Sequence, residues 1–200
     1  MMRGTPYIYQ GEELGMTNAH YSDISQYRDV ESLNYYEILL SEGKSKEEAL
    51  EILAAKSRDN SRTPMQWSAD VNAGFSEAEP WISVIDNYKE INAEKEMQDP
   101  DSIYSFYKKL VGLRKEKAVI SEGTIEFFER ENADVLAYKR NYKEEELVVF
   151  NNLIGGKIVL QAKPEWKTYH KLLGNYEKEY EIENGGEIIL EPYEPLVLEK

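Results

Sequence analysis

Two hundred residues, 41% of them hydrophobic, suffice for one large domain or two small ones with a sizeable core. A formal charge of −14 repels phosphate backbones and argues against nucleic-acid binding, and the absence of cysteine excludes disulfides and thiolate metal sites. No apolar run reaches the roughly 20 residues of a membrane span, and no signal peptide opens the chain; with no cysteine to point to an oxidising compartment, a cytoplasmic location is expected. His20 and His170 lie far apart without ligand spacing, and neither a metal nor a cofactor is expected.

In chain order, a short β-type run, Pro6 to Gln10, ends in Gly11 and two acids, Glu12 and Glu13. Strand, glycine turn and carboxylates together present polar groups at the rim of a pocket. Adjacent strand residues face opposite sides, so one acid is expected in a local ion pair and the other in solvent. A helix is predicted over Ser25–Ser41, with Tyr27, Val30 and Leu33 on its buried face. A second opens with the capping-box pair Ser45 and Glu48. The segment Ser57-Arg58-Asp59-Asn60-Ser61-Arg62-Thr63-Pro64-Met65-Gln66-Trp67 reads, on its residues alone, as a polar turn tied down by Arg–Asp pairs. Arginine's fork also suits hydroxyl recognition, which leaves a ligand role open for Arg58. Glu31 is either an exposed acid on a helix face or a carboxylate that orients two sugar hydroxyls.

A third helix is predicted from Asp101 to Lys117, capped by Asp99 with Pro100 at its first position. Its stripe of Ile103, Phe106, Tyr107, Leu110, Val111 and Leu113 must pack against something large. Short alternating runs then follow at Thr124–Glu129, Asp134–Arg140, Glu146–Asn151, Lys157–Gln161, Trp166–Leu172, Glu187–Leu190 and Pro195–Leu198. Turns at Gly155-Gly156, Gly174-Asn175 and Asn184-Gly185-Gly186 separate some of them, and the whole reads as an antiparallel sandwich.

The opening Gly4-Thr-Pro-Tyr-Ile-Tyr-Gln-Gly-Glu-Glu-Leu-Gly-Met16 resembles the last barrel strand of the α-amylase superfamily, in its oligo-1,6-glucosidase branch. The Ser57–Trp67 segment, Tyr27-Arg28-Asp29-Val30-Glu31, Asn72-Ala-Gly-Phe75, Pro80-Trp-Ile82 and Asn87-Tyr-Lys-Glu-Ile-Asn92 match the same branch. The resemblance implies an α+β chain: residues 1–118 are the last strand, long active-site loops and final helix of a (β/α)₈ barrel, and 119–200 are an antiparallel β-sandwich. A complete barrel alone takes about 250 residues. The chain is therefore expected to be the C-terminal part of a retaining α-glucosidase that cleaves α-1,6 bonds of isomalto-oligosaccharides. By the same resemblance Arg58 reaches the subsite of the non-reducing glucose and Glu31 contacts the leaving sugar, whereas Arg62 and Trp67 are structural.

No segment matches the motifs that carry the family's catalytic carboxylates, so no catalytic residue is assigned and the isolated chain is expected to be inactive. Its expected partners are the oligosaccharide substrate of the parent enzyme and the missing portion of the barrel, with no nucleic acid and no membrane. The alternative is a non-catalytic β-sandwich module that binds carbohydrate or complements a separate barrel chain. Trp166, the only tryptophan of the strand-rich region, gives that alternative little support.

Overall fold

In the computed structural model, which describes residues 1–180 and 186–200, the chain divides into two units. One is Tyr7–Lys108; the other joins Met1–Pro6 to Lys109–Lys200.

The Tyr7–Lys108 unit is helical and loop-rich. Helix α1, Val30–Ser41, starts where the Asp29 carboxylate accepts the amide of Ser32. Helix α2, Lys46–Lys56, starts with the expected reciprocal box: Ser45 Oγ accepts from the Glu48 amide, and Glu48 Oε2 accepts from the Ser45 amide. The two helices pack around Tyr27, Tyr36, Leu39, Ala49 and Leu53. Helix α1 begins five residues later than its periodicity suggests. Ser25 lies in a separate 3₁₀ turn, Ile24–Gln26, and Tyr27 is extended. The amides of Arg28 and Asp29 are taken by a carboxylate thirty residues away, so neither belongs to the helix. Val30, expected in the core, is 68% exposed.

Pro6–Gln10 forms no strand. A strand needs a ladder partner, and among the described residues no segment is paired with it. Glu12 and Glu13 belong instead to a 3₁₀ turn, Glu12–Leu14, entered and left through Gly11 and Gly15 at φ 86° and 69°. The opposed-faces argument for the two acids therefore does not apply.

The loops from Ser57 to Asn92 are ordered by polar ties. Buried Gln66 donates to the Asn87 side chain at 3.2 Å and to the Ile91 carbonyl, while its own carbonyl accepts from Ala93. Helix α3, Ala93–Gln98, is capped by Asn92. Helix α4, Ile103–Glu116, is capped by Ser102 rather than by Asp99: the Ser102 hydroxyl accepts from the Ser105 amide at 3.1 Å, and its carbonyl accepts from Phe106. Asp99 instead ends α3. None of the fourteen residues of α4 is fully buried; Ile103 is 47% and Val111 39% exposed.

In the other unit, a short helix α5, Ala118–Ser121, precedes seven strands among the described residues: β1 Thr124–Phe128, β2 Val135–Tyr142, β3 Glu145–Asn152, β4 Ile158–Gln161, β5 His170–Gly174, β6 Glu187–Leu190 and β7 Pro195–Glu199. Five form an antiparallel sheet in the order β1-β2-β3-β7-β5, and β4 pairs with β6. Side-chain alternation gives the larger sheet two apolar faces. Val148, Phe150, Leu196 and Leu198 share one cluster with Ile158, Leu160, Ile188 and Leu190 of the β4–β6 pair. Leu147, Val149 and Val197 share the other with Val119 and Ile120 of α5. The run at Trp166 begins as a 3₁₀ turn, Pro164–Thr168, not a strand. There the indole is buried against Phe128 and Phe150, with ring centroids 5.6 and 5.4 Å away. The turn expected at Asn184-Gly185 lies outside the described residues.

Candidate functional site

Asp59 is the most enclosed polar residue around Arg58 and Glu31, with no exposed surface. It sits in the 3₁₀ turn Arg58–Ser61, which the Ser57 hydroxyl caps by accepting the Asp59 amide at 3.1 Å. Its Oδ2 accepts the amides of Arg28 at 2.7 Å and Asp29 at 2.9 Å. Two charge-assisted bonds thus join this turn to the start of α1. Asp29 continues the network by accepting the Ser32 hydroxyl at 2.9 Å, and Ser32 Oγ in turn accepts the Ser57 hydroxyl at 2.8 Å. Arg62 Nη1 lies 3.6 Å from both Asp29 Oδ1 and Asp59 Oδ1. Its single positive charge faces two enclosed carboxylates, and the Arg–Asp tie expected in this turn is therefore present.

That arrangement brings Arg58, the first residue of its turn, against Glu31, the second residue of α1. Their side chains form an ion pair of 2.7 Å, and each is about two-thirds exposed, at 65% and 69%. The pair lies on a cleft of about 570 Å³ that Val30, Tyr35, Ile38 and Leu53 also line. A mostly apolar wall with a few convergent polar groups, in this range of volume, is the usual composition of a small-molecule site. The two residues singled out from the sequence, one per segment, are thus brought together. Asp59 and Ser57, which carry the local architecture, were not singled out; the only sequence signal for them is Ser57-x-Asp59, a spacing that favours a capped turn.

Glu12 and Glu13 lie elsewhere in the same unit. Glu12 accepts the Tyr107 hydroxyl and, at 3.1 Å, the Tyr9 amide. The tyrosine bond, followed by the amide, holds its carboxyl below the usual carboxylate range. Burial, with Glu12 next in importance, pushes the Tyr107 phenol up to about 12. Neither acid makes an ion pair among the described residues, so a phenol takes the place of the expected cation. A second hollow of about 340 Å³ adjoins this turn, lined by Tyr9, Glu12, Asn18 and Asn60 among others. Among the described residues no group of three or more His, Asp or Glu side chains is placed to hold a metal ion.

Comparison with known proteins bears on this geometry. The alpha-amylase catalytic-domain family matches residues 1–123. The trehalose-6-phosphate hydrolase of Bacillus subtilis (strain 168) is 46% identical, over 98% of this chain and 35% of that protein. The oligo-1,6-glucosidase of Bacillus cereus is 43% identical, over 98% of this chain and 36% of that protein. The crystal structure of Bacillus licheniformis trehalose-6-phosphate hydrolase superposes with a TM-score of 0.92 at 48% identity, covering 98% of this chain and 36% of that one. The chain thus spans about a third of the length of these relatives.

Proposed function

Because this chain belongs to the alpha-amylase family, we propose that it is the C-terminal part of a retaining α-glucosidase acting on α-1,6 bonds at the non-reducing ends of isomalto-oligosaccharides. The observation that carries the reading is the meeting of Arg58 and Glu31 at one cleft. Arg58 donates to hydroxyls of the non-reducing glucose, and Glu31 accepts hydroxyls of the leaving sugar. The reaction breaks the bond between anomeric carbon and leaving oxygen as one carboxylate attacks and a second acid protonates that oxygen; water, deprotonated by the second residue, then displaces the first carboxylate from the anomeric carbon. Both reacting carboxylates belong to barrel strands outside this chain, which on its own is inactive. Residues 119–200 serve as a stabilising sandwich. The unpaired Pro6–Gln10 run and the unburied helix α4 support association with the rest of the barrel. The cytoplasmic location suggested by the cysteine-free sequence belongs to the same reading.

A second reading, hydrolysis of trehalose 6-phosphate, is favoured by relatives of that name at 46% and 48% identity. The two differ in linkage and in the leaving group's charge, so one experiment separates them. Isotope-labelled chain is titrated with isomaltose and, separately, with trehalose 6-phosphate while the Arg58 and Glu31 resonances are followed. The first reading predicts shifts with isomaltose, and the second predicts them preferentially with the phosphorylated sugar. No response to either would contradict both.

A further inference from the structure

We propose that Asp59 is the positioning residue that holds Arg58 and Glu31 together as a preformed pair; this rests on the sugar-binding reading of those two side chains. Arg58 and Glu31 are 27 residues apart in sequence and lie on elements with no common hydrogen-bond ladder. Both side chains are mostly in water, where an exposed ion pair contributes too little to fix two backbones. Something else must set the distance between the Arg58 turn and the first turn of α1.

Asp59 has the required geometry. It immediately follows Arg58, and the two amides it accepts, Arg28 and Asp29, immediately precede Val30 and Glu31. Both bonds run to one oxygen of a carboxylate with no exposed surface, so water cannot replace either partner. The other oxygen faces Arg62 at 3.6 Å and makes no hydrogen bond, which leaves Oδ2 as the sole anchor. The Ser57–Ser32 hydroxyl bond, at 2.8 Å, closes the same junction from its other side. The carboxylate of Asp59 thus registers the turn on the helix start, and Arg58 and Glu31 project from the two registered backbones. The sugar-binding groups then need not be ordered on binding, which is the usual gain from preorganisation. An asparagine at this position keeps the volume, but with its one carbonyl oxygen on the two amides its Nδ2 donor faces the Arg62 guanidinium, and the charge that strengthens both bonds is lost.

The test uses the full chain labelled on arginine nitrogen. The Nε and Nη nitrogen shifts of Arg58 report its pairing, and Glu31→Gln gives the unpaired reference spectrum. Asp59→Asn is expected to move Arg58 to that reference, while the amides of α2 keep their wild-type positions. An Arg58 signal left at its wild-type position in Asp59→Asn overturns the proposal. If that variant fails to fold, amide exchange on the wild-type chain decides instead. The Arg28 and Asp29 amides should then be protected at least about 100-fold, as expected of enclosed hydrogen-bonded groups; unprotected amides at both overturn the proposal. Addition of isomaltose to the wild-type chain tests the underlying reading separately. If Arg58 ignores the sugar while Asp59→Asn still releases it, the sugar-binding reading fails and the positioning result stands.

Discussion

Arg140 shows how one side chain can close a fold. It lies on β2 with no exposed surface and has no carboxylate partner among the described residues. Its guanidinium donates instead to the carbonyls of Thr124, Ile120 and Gly123, each at 2.9 Å, and to that of Met1. These join the first residue, the end of α5 and the start of β1. Removing the side chain leaves several enclosed acceptors without donors, so Arg140→Met is expected to destabilise this unit by about 3–5 kcal/mol. Chemical denaturation followed by Trp166 fluorescence measures it; a loss below about 1 kcal/mol, the scale of an ordinary surface change, contradicts the assignment. A second residue-scale expectation concerns Glu12 and Tyr107. The tyrosine bond depresses the folded-state pKa of Glu12, so the contribution of this pair is present above the usual carboxylate range and fades as pH falls through the folded value. The phenol is displaced the other way, from 10.0 to about 12, first by burial and then by Glu12. Its contribution is therefore complete below pH 10 and is lost as the pH climbs toward 12. Tyr107→Phe should remove one late-titrating phenol from the alkaline ultraviolet titration and raise the Glu12 midpoint; an unchanged Glu12 midpoint contradicts the bond.

At the scale of elements, the clearest local signals were those in which side chains answer to near neighbours. The capping box at Ser45 and Glu48 is three residues wide, and both of its bonds form as expected. Ser45→Ala should cost about 1 kcal/mol in thermal or chemical unfolding, with no change in the other unit. Strand β6 was legible as a short apolar run rich in isoleucine, but not which of its residues face the core: Ile188 and Leu190 are buried while Ile189 is exposed. The misplaced boundaries have a common physical cause, namely partners distant in sequence. Helix α1 starts late because Asp59 takes the amides of Arg28 and Asp29. Trp166 sits in a turn because its indole fills a cavity between Phe128 and Phe150, which outweighs its strand propensity. Arg58 and Glu31 could be singled out only through a resemblance, since an exposed arginine and an exposed glutamate carry no periodicity of their own. Asp59 was legible only as a partner for arginine; its anchoring role was not, because its hydrogen-bond partners are backbone amides, which every residue possesses.

At the scale of the molecule, two regions with different logic are joined in one chain. Met1–Pro6 with Lys109–Lys200 is a conventional antiparallel β unit, with apolar clusters on both faces of its larger sheet. Tyr7–Lys108 is loop-rich, held by polar ties, and carries the Arg58–Glu31 cleft. Among the described residues its first segment has no strand partner, and α4, whose residues from Lys109 on belong to the other unit, has no buried residue. These are the features expected of a substrate-binding rim whose catalytic strands lie in another stretch of polypeptide. Under the proposed function this chain binds sugar but does not cleave it. The most direct measurement is glucose release from isomaltose by the purified 200-residue chain. The account predicts none above the uncatalysed background, for the wild type and for Arg58→Ala alike. Glucose release by the wild type that Arg58→Ala abolishes would contradict it, because a reacting carboxylate pair would then have to lie within these residues.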